Sequence, residues 1–248
     1  MTGQTIYFVT GANRGLGRAL VEHYLALPNS FVAAGVRDPE HSTAKSLFDF
    51  PKGENSTLVT VKVEATSDTD AKEAVTTLQK EHSIDHLDVV ISSAGICRLS
   101  RLDEVDIADL LDHVNVNAVG VVRLFQATKD LLQKTKNPKF VVMGSNAGSV
   151  AHMQWFPFPQ GAYAGSKAMT NSIMRKIAME NPWLTSVTLH PGWVQTDMGN
   201  DGARAVGMEK AAVTIEDSIK GVTEIIEKAN PQTIFGKFLD YAGAELEW

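Results

Sequence analysis

Tyr163 and Lys167, four apart in the run Ala162-Tyr163-Ala164-Gly165-Ser166-Lys167, are a pair that can move a proton. On a helix they fall on one face, one turn apart. A phenol ordinarily titrates near 10, so exchanging a proton readily near pH 7 needs a downward shift of ~3 units, about 4 kcal/mol. A neighbouring ammonium in a partly desolvated cleft can supply much of that. The spacing alone is common, and a surface helix pair would show it equally. It gains weight from a second cluster far upstream. Thr10-Gly11-Ala12-Asn13-Arg14-Gly15-Leu16-Gly17 follows an apolar run and opens a segment of helical period. Glycines in such a turn let backbone N–H groups approach a pyrophosphate, and the helix N-terminus adds its partial positive charge.

These two clusters need a scaffold that brings them together. Short β-rich runs recur at Ile6–Val9, Phe31–Val36, Leu58–Val63, Val89–Ile91, Phe140–Met143, Val187–Leu189 and Ile234–Leu239. Most are continuous apolar runs, as in strands covered on both faces of a parallel sheet. Between them lie segments of helical length at Gly17–Leu27, Asp68–His82, Ile107–Gln133, Ala164–Asn181 and Ile215–Ala229. This alternation predicts βαβ units and an α/β fold: one Rossmann-like domain over residues 1–248, with a doubly wound, parallel, seven-stranded sheet and helices on both faces. Thr214-Ile215-Glu216-Asp217 and Ser67-Asp68-Thr69-Asp70 read as capping boxes. Asp38 before Pro39 fits a helix N-cap followed by a proline at the first helical position. The stretch His152–Gly161, aromatic and holding Pro157 and Pro159, reads as a loop insertion. Asp197–Ala212, punctuated by Gly199, Gly202 and Gly207, reads as a mobile substrate lid.

In such a fold the strand ends carry the chemistry. The end of the second strand meets the adenosine ribose of a dinucleotide; an acid there favours NAD and an arginine favours the 2′-phosphate of NADP. Both types stand in Val36-Arg37-Asp38-Pro39. With Asp38 occupied as a cap, Arg37 is free for the ribose, and Arg14 can add a second charge. The fifth strand ends Gly144-Ser145-Asn146-Ala147-Gly148-Ser149. A hydroxyl at that end can hydrogen-bond a substrate carbonyl, with Ser145 favoured and Ser149 its competitor. His190, at the end of the sixth strand, is a packed histidine or a weaker catalytic candidate. The insertion, the turn after the sixth strand and the lid are expected to bring Met153, Trp155, Phe156, Phe158, Trp193 and Met198 together as an apolar, π-rich substrate wall. The alternative is that the insertion's aromatics pack against a partner subunit.

Composition excludes other classes. The chain has 248 residues, 44% hydrophobic and 21% charged, which suits one globular domain and rules out wholesale disorder. The net charge of −6 implies no basic face, so neither nucleic acid nor an anionic membrane is an expected partner. A single cysteine, Cys97, rules out an internal disulfide framework and argues against a Cys-based metal site. No basic leader, long apolar run or C-terminal retention signal stands out, and the expected location is the reducing cytoplasm.

The Gly-x-x-x-Gly-x-Gly spacing resembles the cofactor loop of the short-chain dehydrogenase/reductase family, and the likeness runs from Thr5 to Trp248. Pro191-Gly192-Trp193-Val194-Gln195-Thr196-Asp197-Met198-Gly199 and the Arg37-Asp38-Pro39 strand end look closest to its carbonyl reductase and fungal ketoreductase branch. The resemblance implies NADP(H) as cofactor, held by Gly11, Asn13, Arg14, Gly15, Leu16, Gly17, Arg37, Glu64, Ala65, Ser93, Ala94, Gly95, Tyr163, Lys167, Val194 and Thr196. It implies catalysis by Asn117, Ser145, Tyr163 and Lys167: Tyr163 gives the proton, Lys167 lowers its pKa and holds the ribose, Ser145 orients the carbonyl, and Asn117 holds a relay water while Asn115 faces the surface. No metal is implied. The substrate implied is a small-molecule ketone or aldehyde, and a homodimer or homotetramer is a family habit. The sequence departs from the family at Ser92-Ser93, where Asn-Asn is usual, and at Glu64, where Asp is common. The gap from Ser145 to Tyr163 is also longer than usual, which the aromatic insertion accounts for. The rival readings are an NAD-linked alcohol dehydrogenase of the same fold and a non-catalytic NADP-binding sensor.

Overall fold

The computed structural model describes residues 3–155 and 158–248. Phe156 of the expected aromatic wall lies outside the described residues. Seven strands, β1 (Thr5–Thr10), β2 (Ser30–Val36), β3 (Thr57–Lys62), β4 (Val89–Ser92), β5 (Lys139–Met143), β6 (Thr185–His190) and β7 (Phe238–Asp240), form one sheet. Their order is β3-β2-β1-β4-β5-β6-β7, and every neighbouring pair is parallel. The helices between them are α1 (Gly15–Ala26), α2 (Ser42–Lys45), α3 (Asp70–His82), α4 (Ile107–Val114), α5 (Gly120–Leu132), α6 (Gly161–Glu180), α7 (Asp197–Ala205) and α8 (Ile215–Lys228).

The apolar runs have a physical cause. β2, β4 and β5 are buried along their whole length, because helices cover both faces. Successive side chains alternate between two cores: Tyr7 and Val9 of β1 join one, Ile6 and Phe8 the other. The strand order reverses between β1 and β4, and ligands of open α/β sheets bind in the crevice at such a point.

Local expectations fared unevenly. Thr214 caps α8, accepting from Asp217 N at 3.0 Å and donating to Asp217 Oδ2 at 2.7 Å. Ser67 and Asp70 bond to each other as expected, but Asp70 Oδ2 accepts from Glu64 N rather than from Ser67 N, so the pair ties a turn ahead of α3. Asp38 does not cap a helix. Its carboxylate accepts from Glu40 N at 2.9 Å to hold a turn, and the next helix begins at Ser42 with His41 as its cap. The helix read over Ile107–Gln133 is divided: Asn115–Val119 is a π-helical turn between α4 and α5. Within it, Thr170 Oγ1 of α6 donates to the Asn117 carbonyl at 2.8 Å. A widened turn frees a carbonyl for such a partner. β7 is shorter and later than the apolar run Ile234–Leu239, because Asn230 hydrogen bonds hold Thr233 and Ile234 in a turn. The lid segment is not irregular throughout: Thr196 accepts from Gly199 N and caps α7.

Candidate active site

A cavity of about 350 Å³ runs along the carboxyl ends of the strands. Its far end is the glycine loop. Gly11 has φ +66°, and a Cβ there would lie 2.7 Å from Ala94 Cα. A Cβ on Gly17 would lie 2.2 Å from the Gly11 carbonyl oxygen. Both close approaches require glycine, and they leave a shallow backbone cradle at the start of α1, as a pyrophosphate needs. Asn13 Nδ2 donates to Thr43 Oγ1 at 2.8 Å, which ties this cradle to α2. Leu16 lines the loop, with Ser93, Ala94 and Gly95 opposite it at the end of β4. Ser93 lines the cavity where the family's asparagine is usual. Glu64 and Ala65 line the cavity beyond β3. The Glu64 carboxylate is held by Thr66 N and Thr66 Oγ1, each at 3.4 Å. Arg14 and Arg37 both line the same end and are exposed, and neither forms an ion pair among the described residues. Asp38 does not line the cavity. The site therefore offers two cations and no competing acid from the second strand's end.

The other end carries the reactive side chains. α6 begins at Gly161, earlier than the apolar pattern suggested, so Tyr163 stands in its first turn and Lys167 one turn on. Both line the cavity, as does Ser145 at the end of β5. Ser145 accepts from Ala147 N at 3.2 Å, which fixes its rotamer. Ser149, the competing hydroxyl, is fully buried, accepts from His152 N and lies off the cavity. Lys167 is 6% exposed. Its Nζ donates to the Met143 carbonyl at 2.8 Å and lies 5.8 Å from the centroid of the Tyr163 ring. Burial lowers Lys167 to about 8. The expectation that the ammonium lowers the phenol is not met in the protein alone. Burial pushes Tyr163 above its ordinary value of 10, the nearby Cys97 adds to this, and only the Ser145 hydroxyl pulls it back. The charged phenolate is penalised more by lost solvent than it gains from an ammonium already committed to a carbonyl.

Asn117 is 1% exposed and does not line the cavity. Its Oδ1 accepts from Ile96 N at 2.9 Å, and its Nδ2 donates to Ile96 O and Ser166 Oγ, each at 2.9 Å. Asn115 is half-buried rather than surface-facing and accepts from Arg123 Nη1 at 2.8 Å. Val194 and Thr196 line the cavity, and the Thr196 hydroxyl doubles as the α7 cap. His190 lies beside them; burial lowers it to about 4, and its Nδ1 has no partner among the described residues.

The apolar wall is composed differently from the expectation. Phe158, Trp193 and Met198 line the cavity. Phe158 and Trp193 pack in a tilted pair, ring centroids 5.6 Å apart and planes at 50°. Met153 and Trp155 do not reach it. They are 48% and 63% exposed, and Trp155 stacks on His152 instead. Ile96, Cys97 and Leu99, in the irregular segment after β4, complete the wall. Sequence reading missed them because no spacing rule applies to an irregular segment; the only signal was their place after a strand that ends at the cofactor crevice. Among the described residues no three His, Cys, Asp or Glu side chains cluster as a metal site would need.

Comparison with known proteins agrees with this geometry. A family model described as short chain dehydrogenase matches residues 5–206. The chain belongs to the short chain dehydrogenase family. As a member of that family it is an oxidoreductase. A norsolorinic acid ketoreductase of Emericella nidulans is 39% identical over 248 residues, covering 99% of this chain and 94% of the relative. The corresponding protein of Aspergillus parasiticus is 38% identical over 249 residues, covering 99% and 92%. Among solved structures, an NADPH-bound carbonyl reductase from chicken fatty liver superposes with a TM-score of 0.87 at 29% identity, covering 99% of this chain and 94% of its own. The carbonyl reductase Sniffer of D. melanogaster gives 0.83 at 26% identity, covering 99% of both. No described helix is long and apolar enough to cross a membrane.

Proposed function

We propose that this short chain dehydrogenase reduces a bulky aromatic or hydrophobic ketone or aldehyde to the alcohol with NADPH. The observation that carries the reading is one continuous cavity. It has Arg14 and Arg37, without ion-pair partners among the described residues, and the glycine cradle at one end, and Ser145, Tyr163 and Lys167 at the other. Relatives named for ketoreduction and carbonyl reduction support it. Gly11, Gly15 and Gly17 would hold the pyrophosphate, and Arg14 and Arg37 the 2′-phosphate. Val194 and Thr196 would hold the nicotinamide amide. When bound, NADPH supplies the hydride that reduces the carbonyl carbon. The protein's own part is to bind, polarise and protonate. Ser145 donates a hydrogen bond to the substrate oxygen. Tyr163 gives that oxygen its phenolic proton. The Lys167 ammonium stabilises the phenolate left behind. Both Nδ2 protons of Asn117 are taken by Ile96 O and Ser166 Oγ and its backbone carbonyl accepts from Thr170 Oγ1, so any share in a proton relay would rest on the remaining acceptor capacity of its oxygens.

The substrate end supports the preference for an apolar ketone. Phe158, Trp193 and Met198 face it, and among the described residues the one cation there, Lys167, is committed to Met143 O. The test is kcat/KM with NADPH for an aryl ketone, acetone and a keto acid. The aryl ketone should lead, and a lead by the keto acid refutes the wall. Tyr163→Phe should cost about 100-fold or more in kcat with NADPH binding kept. Near-normal turnover in that variant removes Tyr163 as the acid.

A further inference from the structure

We infer that His113 is a positioning residue that holds the Ile96–Leu99 wall of the substrate cavity in place. Between Ser93 and Leu99 the chain has no regular secondary structure, so no ladder satisfies its backbone. Side chains of the facing helical segment do so instead. Asn117 takes both the N–H and the C=O of Ile96. One turn earlier, His113 is 0% exposed and accepts from Arg98 N through Nε2 at 3.0 Å. Its Nδ1 faces the Asp109 carbonyl at 2.8 Å. An Nε2 that accepts carries no proton, so Nδ1 is the protonated nitrogen and donates to Asp109 O. Residues 113 and 117 share one helix face and grip the segment on either side of Cys97. Cys97 lines the same cavity as Tyr163 and Lys167, and burial pushes its thiol up to about 11. The Arg98 side chain returns to Asp109 and Asp112 of α4 from the solvent side. Exposed ion pairs of that kind hold little on their own. Beyond Cys97 the buried imidazole ties Arg98 N, and the next tie is the backbone bridge between Ser100 and Gln160 at the start of α6.

Both nitrogens of this buried imidazole are satisfied by backbone groups, and one of those groups belongs to the wall. The consequence for substrate rests on the carbonyl-reductase reading; the clamp itself does not. The experiment compares His113→Gln, whose amide oxygen reaches as far as Nε2, with His113→Asn, whose amide stops short of Arg98 N. Two readouts are taken. One is alkylation of Cys97, the sole cysteine, by N-ethylmaleimide without substrate. The other is steady-state kinetics with NADPH and an aryl ketone. His113→Asn should label about fivefold faster or more and raise ketone KM by a similar factor, with kcat and NADPH KM within about twofold. His113→Gln should stay within about twofold of the parent on every measure. Equal behaviour of the two variants overturns the clamp. A labelling difference in a protein that reduces no ketone upholds the clamp and overturns the reaction assigned to the cavity. The parent protein offers a check that needs no variant. Arg98 N–H should exchange about a hundredfold slower than free peptide, and imidazole ¹⁵N shifts should show the Nδ1–H tautomer. Free-peptide exchange or the Nε2–H tautomer overturns the assignment.

Discussion

Gly17→Ala tests whether the cradle is set by backbone contact alone. The added Cβ would lie 2.2 Å from Gly11 O, 2.8 Å from Gly11 C and 3.2 Å from Ala12 Cα. A carbon approaches a carbonyl oxygen no closer than about 3.3 Å, so one side must move by about 1 Å. Gly11 has little room to retreat, because Ala94 backbone stands behind it and Ala12 N is tied to Gly35 O at 3.2 Å. Overpacking of this kind costs about 1–3 kcal/mol, or about 2–12 °C in Tm for a domain of this size. The displaced amides are the expected pyrophosphate donors, and a 1 Å misplacement is worth about a hundredfold at the extreme. Gly15→Ala is the control. It meets only Thr196 Cγ2 at 3.4 Å, but its φ of +53° costs about 1–2 kcal/mol of backbone strain. Thermal unfolding and NADPH titration by fluorescence quenching measure both variants. Gly17→Ala should weaken NADPH binding by about tenfold or more beyond the loss in Gly15→Ala. Parent-like Tm and affinity in Gly17→Ala would refute the argument.

Other expectations follow from single contacts. Arg37→Ala should raise KM for NADPH about ten- to a hundredfold more than KM for NADH, since only NADPH carries the 2′-phosphate; equal effects return Arg37 to an ordinary surface role. Trp193→Phe removes the indole N–H that donates to Gly199 O at 2.9 Å, together with part of the ring that packs against Phe158. That bond is worth about 1 kcal/mol, so amide exchange in the first turn of α7 should quicken by about fivefold, and unchanged exchange dismisses the latch. Burial holds His190 near 4 rather than 6.5, with Asp240 opposing the shift. Between those values the unfolded chain binds a proton that the folded chain refuses, so stability falls as pH drops from about 6.5 to about 4, by about 3 kcal/mol at most. His190→Asn should flatten the fall of Tm over that window, and an unchanged slope excludes His190 as its source.

The alternation of strand and helix, the glycine turn, the Tyr163–Lys167 pair and the Thr214 cap were legible because each rests on short-range geometry. Side-chain periodicity and capping bonds span four residues or fewer. The same reasoning misplaced Asp38, since a cap needs a helix to follow, and the chain after Pro39 makes a turn before α2. It also joined α4 to α5, because the Asn115–Val119 π turn answers a hydroxyl from α6, remote in sequence.

The sequence by itself determined the scaffold and the identity of the reactive side chains, through periodicity and spacing that act along the chain. Tertiary structure alone decided what those side chains can do. It placed Lys167 on Met143 O, turned Asn117 and His113 toward the wall after β4, sent Trp155 onto His152 instead of into the cavity, and raised Tyr163 by burial where an ammonium was expected to lower it. The reason is that hydrogen-bond partners and desolvation depend on which elements meet across the fold, and no local pattern encodes that meeting.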